Sequence, residues 1–531
     1  MSRGSRATGW RAISVLIAAL VAGAWPSSSA VAAGMSFQEF QGPCGHTLDL
    51  TAGPDGNLWI LAQDPDQVWR MTPQGVFTTF PIPGSTGPPC GGSTGSNLQP
   101  MNIAAGRDGN LWFTEHSTDS IVRVTMAGAM TVFHLPDHSG GSAPWGITSG
   151  PDCNIWFSEY AGDRVGRITP DGSIKEFQLP GFSPPIGITT GPDGNVWFAQ
   201  EAGGIEQIAP DGGNVIEHPT TPSLLGNPAY IATGSDGNLW FTDNNHSIGR
   251  MTTSGVESYF PIPTPHRLTD FDRIVPGPDG ALWFDDLSND AIGRIDPSGS
   301  YDETSPPTPS SVPSWITVGP DGNIWFTESS PGRIGLVTLA EPTRPGAPWS
   351  VTAAAADGSA TVSWTVPTFD GHSPITGYTI TPYVGSAAQT PVRVDGAATT
   401  SATLTDLTPG VPYGFEVSAV NGVGVGQGTR SCGTVTPLGP ASAPTSVTAI
   451  ADGGGQATVS WNPPVNNGGQ AITYYAVYAY PPMPSGVLMT PNPNSVLVSG
   501  LAPDSYHVFT VTAYNGRWGP WSAWSPWLWV T

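Results

Sequence analysis

The sequence predicts an all-β chain: a seven-bladed β-propeller followed by two β-sandwiches. Three observations carry that prediction. A phrase typified by Gly319-Pro-Asp-Gly-Asn-Ile-Trp-Phe-Thr-Glu328 recurs seven times, placing Trp59, Trp112, Trp156, Trp197, Trp240, Trp283 and Trp325 at spacings of 53, 44, 41, 43, 43 and 42 residues. No unit has a 3.6-residue apolar period, so a repeat of this length points to propeller blades and not to stacked helix pairs. After Thr338 the repeat stops, and a different unit of roughly 90 residues, the size of a β-sandwich, occurs twice.

Each blade is predicted from its own residues. The run Trp315-Ile316-Thr317-Val318 favours a strand, and Pro320-Asp321-Gly322 turns the chain because proline presets φ and glycine supplies φ > 0. Ile324-Trp325-Phe326 then returns as a second strand. A second hairpin follows in each unit, as in Arg164-Val165-Gly166-Arg167-Ile168, the turn Pro170-Asp171-Gly172, and Ile174-Lys175-Glu176-Phe177. The unit is a four-stranded antiparallel meander. The seventh ends at Leu336-Val337-Thr338 without an outer strand, whereas Phe37-Gln38-Glu39-Phe40-Gln41 precedes the first unit. That N-terminal strand is expected to complete the last blade and remove an open sheet edge.

Composition narrows the function classes. The 531 residues include 68 Gly and 56 Pro, but also 20 Trp and 18 Phe, a mix that suits many short ordered strands. Lys and Arg number 18 against 41 Asp and Glu, giving a formal charge of −23, so a phosphate backbone is a poor partner and nucleic acid is excluded. Residues 1 to 32 have the layout of a secretory signal: Arg3, Arg6 and Arg11, an apolar stretch from Ala12 to Trp25, then Ala30-Val31-Ala32 for cleavage. The expectation is a secreted monomer without a membrane anchor after cleavage. Its parts are a signal peptide (1–32), a propeller (33–340) and two sandwiches (341–440 and 441–531). In an oxidising compartment Cys44 and Cys90, in equivalent loops of the first two blades, are candidates for a disulfide, with four unpaired thiols as the alternative. Cys153 replaces the turn glycine in its blade, and Cys432 lies in the first sandwich.

The paired units resemble fibronectin type III domains through Trp364 and Trp461, the leucine–proline–tyrosine corners ending at Tyr413 and Tyr506, and the Asn-Gly pairs at Asn421 and Asn515. The resemblance implies spacer or adhesive modules. The propeller phrase, with Gly146 to Glu159 and Arg164 to Thr169 as its fullest copy, resembles the virginiamycin B lyase (streptogramin lyase) family. That resemblance implies elimination on a cyclic depsipeptide, with a histidine base and a divalent metal near the ring axis. A base would take the proton α to a carbonyl while a cation held the developing oxyanion.

Topology puts two loop columns on one face, opposite the Pro-Asp-Gly turns. The column two residues before the strand isoleucine reads Leu48, Met101, Trp145, Ile186, Ala229, Asp272 and Ser314, without a histidine. The family's histidines are therefore not carried over, and both an enzyme and a non-catalytic binder stay open. The loop histidines His46, His116 and His246 are candidate replacement bases, with plain surface residues as the alternative. Trp145, Tyr230, Asp272, Arg273 and Trp315 are the candidate ligand contacts. The acidic column Glu115, Glu159, Asp243, Asp285 and Glu328 offers oxygen ligands for Mg²⁺ or Ca²⁺, or else caps its own loops.

The Asp-Gly-Asn-x-Trp turns slightly resemble sialidase Asp-boxes and point to a propeller, not to a glycosidase. At the C-terminus, Trp518, Trp521, Trp524 and Trp527 form a possible sugar-gripping surface or a packed ladder. Trp521-Ser-Ala-Trp524-Ser525 resembles the WSXWS box of cytokine-receptor domains, with Arg517 as the nearby cation. The favoured reading is binding of a small molecule, glycan or surface polymer at the loop-rich propeller face. A metal-dependent carbon–oxygen lyase with a rearranged site and a polysaccharide-processing accessory are the competing readings.

Overall fold

The computed structural model describes residues 35 to 531 apart from 64, 86–97, 139, 182, 202–203, 221–226, 244–246, 263–272, 330–331, 340–341 and 492–493. The expected signal peptide, Cys90, His246 and Asp272 lie outside the described residues. Among the described residues no helix is long and apolar enough to cross a membrane.

The repeat folds as it does because of its turn. In the seventh blade Asp321 Oδ1 accepts from the Trp325 indole N–H at 2.8 Å and from Asn323 N at 3.2 Å, while Asn323 Nδ2 donates to the other oxygen at 2.9 Å. Every other repeat tryptophan bonds back to the aspartate four residues earlier in the same way. The turn thus satisfies the one polar group of a ring that is fully buried. The neighbouring strands complete the stack: in the third blade Phe177 lies flat on Trp156 at 5.3 Å, and the Arg167 guanidinium sits 5.7 Å from the same ring. Gly166 is required beside them, because a Cβ there would overlap the Phe157 ring, as one on Gly335 would overlap Phe326.

These units form seven four-stranded sheets among the described residues. Their innermost strands are His46–Ala52, Pro100–Ala105, Pro144–Ser149, Pro185–Thr190, Pro228–Thr233, Ile274–Pro276 and Pro313–Val318. Each lies against the next and the last lies against the first, so the ring closes. The seventh sheet takes its outer strand from Met35–Gln41, antiparallel to Arg333–Leu339 with Phe37 opposite Val337. Phe40 then stacks on Trp325 at 5.4 Å and supplies the ring that the seventh unit lacks.

Each sandwich pairs two sheets over one aromatic contact, Trp364 with Tyr378 at 5.0 Å and Trp461 with Tyr475 at 5.2 Å. The second corner departs from the sequence expectation. Tyr413 is buried and its hydroxyl accepts from Thr408 N at 3.2 Å, but Tyr506 is 57% exposed. Tyr413 lies six residues after Leu407; the residue six after Leu501 is His507, buried, with Nε2 3.3 Å from the Ala502 carbonyl. One residue of offset turns a strand side chain to the other face, so the histidine takes the corner.

The first sandwich packs on the face of the ring that carries the Pro-Asp-Gly turns. Cys153 is disulfide-bonded to Cys432, Arg107 donates to the Arg430 carbonyl at 2.7 Å, Arg430 donates to the Pro192 carbonyl at 3.0 Å, and Thr368 donates to the Pro320 carbonyl at 3.2 Å. Cys153 keeps the left-handed turn conformation of the glycine it replaces, with φ of 62°. Cys44 is also disulfide-bonded, and Cys90, the partner expected from the sequence, lies outside the described residues.

Replacing Phe40 by alanine should destabilise the propeller by about 2–3 kcal/mol, below the full-core value because the ring is half-buried. The check is a lowered denaturation midpoint for the propeller transition with the sandwich transitions unmoved.

Candidate functional site

A β-bulge decides which residues reach the ring axis. In the third blade Pro144 pairs with Glu159 and Ile147 with Phe157, so two residues of the inner strand oppose one of its partner. The first, second, fourth and fifth blades carry the same irregularity just before their Leu or Ile. In these five blades the extra residue brings the position immediately before the Leu or Ile inward, Asp49, Asn102, Gly146, Gly187 and Tyr230; the matching residues of the sixth and seventh blades are Arg273 and Trp315. This corrects the sequence column, which was set one residue too early. Leu48 packs into the core between the first two blades, and Ser314 bonds the Ser329 hydroxyl at 2.6 Å.

These side chains meet across the ring. Arg273 forms an ion pair and hydrogen bond with buried Asp49, which also accepts from Asn102 Nδ2 at 3.1 Å and from Ile103 N at 2.9 Å. The Arg273 guanidinium stands 5.8 Å from the Trp315 ring, and Tyr230 meets that ring edge-on at 5.5 Å. Trp145, still from the earlier column, donates its indole N–H to the Tyr230 hydroxyl at 2.9 Å. Gly187 makes room, since a Cβ there would run into the Ala229 carbonyl and Tyr230 Cα. Trp145, Tyr230, Arg273 and Trp315 are therefore brought together, while Asp272 lies outside the described residues.

Asp285 has a different role from the one expected. In the second and third blades a hydroxyl joins neighbouring inner strands: Thr114 accepts from Asn102 N at 3.1 Å and donates to the Trp145 carbonyl at 2.7 Å, and Ser158 accepts from Gly146 N at 2.8 Å and donates to the Ile186 carbonyl at 2.7 Å. Asp285 occupies this hydroxyl position, and Asp286 is the true member of the acidic column. A carboxylate cannot donate, so Asp285 accepts from Arg273 N at 2.5 Å and from Trp315 N at 2.8 Å. Trp315 offers that N–H with φ of 54°, and its bulge moves to Ser314/Ile316. The signal was legible as Trp283-Phe284-Asp285 against the usual Trp-Phe-Thr.

The acidic column does not converge. Glu115 is taken by Gln99 N at 2.5 Å, the Ser117 hydroxyl at 2.9 Å and Thr118 N at 2.7 Å, and Asp243 by the Ser247 hydroxyl at 2.9 Å. Glu159 and Glu328 are fully buried with no hydrogen bond to either carboxyl oxygen, and burial pushes them up to about 8 and about 7. Among the described residues the one group of three or more potential ligands within 4.8 Å of one another is His138, Glu159 and Glu176. Of the two alternatives for the column, the capping one describes Glu115 and Asp243, held by their own loops, while the inner strands hold Asp285; the five do not gather around one cation. Mg²⁺ does not fit at the axis either: Asp49 and Asp285 already face N–H donors and a guanidinium, all positive ends of dipoles or charges.

Of the candidate bases, His46 Nδ1 lies 3.3 Å from the Ser329 carbonyl at the seam of the first and seventh blades. His116 meets Trp145 edge-on at 5.6 Å and keeps its Nδ1 buried without a hydrogen bond. His246 lies outside the described residues. At the C-terminus Trp518, Trp521, Trp524 and Trp527 are 44–61% exposed, and Arg517 pairs with Asp357 of the first sandwich. The cation expected beside those tryptophans is thus spent on an inter-sandwich contact.

The virginiamycin B lyase family matches residues 50–183 and 181–344, more than half of the chain, and the fibronectin type III domain matches 346–432 and 442–526. A streptogramin B lyase structure is 31% identical with a TM-score of 0.51, the match covering 58% of this chain and 98% of that one. A catalytically inactive histidine-to-alanine variant of virginiamycin B lyase from Staphylococcus aureus, with quinupristin, is 32% identical with a TM-score of 0.51, covering 57% and 99%. Curated relatives match over shorter stretches. Fast-type myosin-binding protein C of Gallus gallus is 34% identical over 119 residues, covering 22% of this chain and 10% of that protein, and protein sidekick-1 of Mus musculus is 32% identical over 170 residues, covering 30% and 8%. This chain spans only that small share of the length of those two proteins.

Two outcomes follow from the geometry. Asp49→Asn should leave Arg273 uncompensated and cost about 2–4 kcal/mol, with Asp49→Asn/Arg273→Met recovering much of it in chemical denaturation. Glu328 has a folded-state pKa of about 7 above its ordinary 4.5, so its contribution to stability is complete below pH 4.5 and lost as pH rises through 7. Glu328→Gln should flatten that part of the stability–pH curve, by on the order of 1–3 kcal/mol between the two ends.

Proposed function

Because the chain belongs to the virginiamycin B lyase family, its axial loop face is where ligand contact is expected, and we propose that it binds a ligand there without opening it. The carrying observation is that Arg273 and Trp315 occupy axial positions of the two late blades, paired to Asp49 and packed on Tyr230. A guanidinium stays charged at working pH and takes no proton, so it can hold an oxygen-rich group but cannot act as the base of an elimination. Trp145 and Trp315 with Arg273 suit a small molecule bearing apolar rings and carbonyl or carboxylate oxygens.

The sandwiches act in this reading as spacer or adhesive units. The first docks on the turn face, opposite the loop face. Export through the N-terminal segment agrees with disulfide-bonded Cys44, Cys153 and Cys432, since such bonds persist in oxidising compartments. A second reading, a lyase with a rearranged site, draws on His116, whose Nδ1 has no hydrogen bond beside Trp145.

Quinupristin, present with the Staphylococcus aureus relative, is the first probe. Full-length protein should quench saturably in tryptophan fluorescence, Trp145→Ala should weaken that binding by roughly tenfold or more, and mass spectrometry with Mg²⁺ should find the depsipeptide ring intact. A chelator-sensitive ring-opened product of unchanged mass, lost in His116→Ala, would instead establish the lyase. Absence of saturable quenching removes depsipeptides as the ligand class.

A further inference from the structure

We propose that His138, Glu159 and Glu176 form a divalent-metal site in the third blade, one that takes Zn²⁺ in preference to Mg²⁺ or Ca²⁺. The three come from separate parts of the blade. His138 lies in the connection that enters it, Glu159 ends its second strand, and Glu176 lies on its outer strand Ile174–Gln178. Their ligand atoms fall within 4.8 Å of one another, and His138 Nε2 is 2.7 Å from Glu176 Oε2. One imidazole nitrogen with two carboxylates is a set that zinc accepts, leaving a position for water, whereas Mg²⁺ and Ca²⁺ favour oxygen throughout.

The second observation is Glu159 itself. It has no solvent exposure, and neither carboxyl oxygen has a hydrogen bond of normal geometry, the Ser142 hydroxyl bearing on it only outside that geometry; Glu176 Oε1 and Ser142 Oγ are also buried without a partner. Its cationic neighbour, Arg164, approaches only to 3.7 Å. A buried carboxyl left this way is costly as an anion, so it either takes up a proton, as Glu328 does, or meets a cation, and among the described residues only Glu159 has an imidazole and a second carboxylate within reach of a shared ion. Two carboxylates, a neutral imidazole and a divalent ion sum to zero charge, which removes that cost. Asp119 and Arg164, the other charged groups that bear on Glu159, are opposite in sign and offset each other.

The seventh blade provides an internal comparison. Glu328, Arg333 and Glu39 occupy the places of Glu159, Arg164 and Glu176, since Glu39 and Glu176 stand opposite Gly335 and Gly166 in the outer-strand pairing. There Arg333 reaches the outer-strand acid at 3.0 Å and Thr308 donates to the same carboxylate at 2.6 Å, so Glu39 is neutralised by protein groups. In the third blade a histidine stands where Thr308 does, and its partner is the acid. The proposal does not depend on whether the axial face binds a ligand.

The test is calorimetric titration of Zn²⁺ into full-length protein stripped with chelator, with Mg²⁺ in parallel. One Zn²⁺ per chain is expected, with affinity lowered roughly tenfold or more by Glu159→Gln and by His138→Gln, unchanged by Glu328→Gln, and with Mg²⁺ weaker by a similar factor. Co²⁺ should give visible absorption bands in the parent protein that Glu159→Gln removes. No saturable Zn²⁺ binding overturns the proposal, and so does binding that both blade-three variants leave unaltered. His138 is partly exposed, so its variant keeps the test valid if Glu159→Gln fails to fold.

Discussion

The hydrogen bond from a buried indole N–H to the aspartate of its own turn is the constraint on which this architecture rests. Made once, it ties a turn to the strand that follows. Repeated in all seven blades, it lets the largest side chain in the repertoire be buried between sheets without an unpaired donor. In five blades an arginine of the third strand, and in six an aromatic ring of the outer strand, then has a flat surface to stack on. Phe40 shows the principle from outside the repeat: an N-terminal strand can stand in for a missing one because it brings the ring that Trp325 requires.

The scaffold leaves the axis free to vary, and this chain has used that freedom in a specific way. Gly187 lets the Tyr230 backbone approach, and Trp145 crosses to the Tyr230 hydroxyl, so the centre is filled asymmetrically. Replacing a stitching hydroxyl by Asp285 changes the acceptor–donor logic between two inner strands. The carboxylate asks for an N–H, and the seventh blade supplies one by turning Trp315 into the left-handed region. A single residue type thus joins the sixth and seventh inner strands at the point where the Trp315 ring lies beside Arg273.

The sequence made the repeat, the strand order and the ring-closing strand legible, because each depends on local turn chemistry and on patterns that recur. It also selected Trp145, Tyr230, Arg273 and Trp315, which do meet. Two of its departures share a cause: strand period. In five blades a bulge before the inner-strand Leu or Ile moves the axial column by one residue, and an offset of one residue likewise exchanges Tyr506 for His507 at the second sandwich corner. The acidic column failed differently. Sequence spacing put the carboxylates on one face, but hydrogen bonds from adjacent loop groups decide where each one points, and those partners are not periodic.

Cys153 shows what a broken pattern can report. A turn position that the other copies fill with glycine holds a cysteine, and its partner lies in another domain, 279 residues away. A covalent bond at that turn needs a neighbouring surface, and the first sandwich supplies it by reading the same row of turns: the carbonyls of Pro192 and Pro320 accept from Arg430 and Thr368. The turns that build the propeller from inside therefore also present the carbonyls that dock it. The structural uses of the repeat thus gather on one face, opposite the bulged inner strands at which ligand binding is proposed.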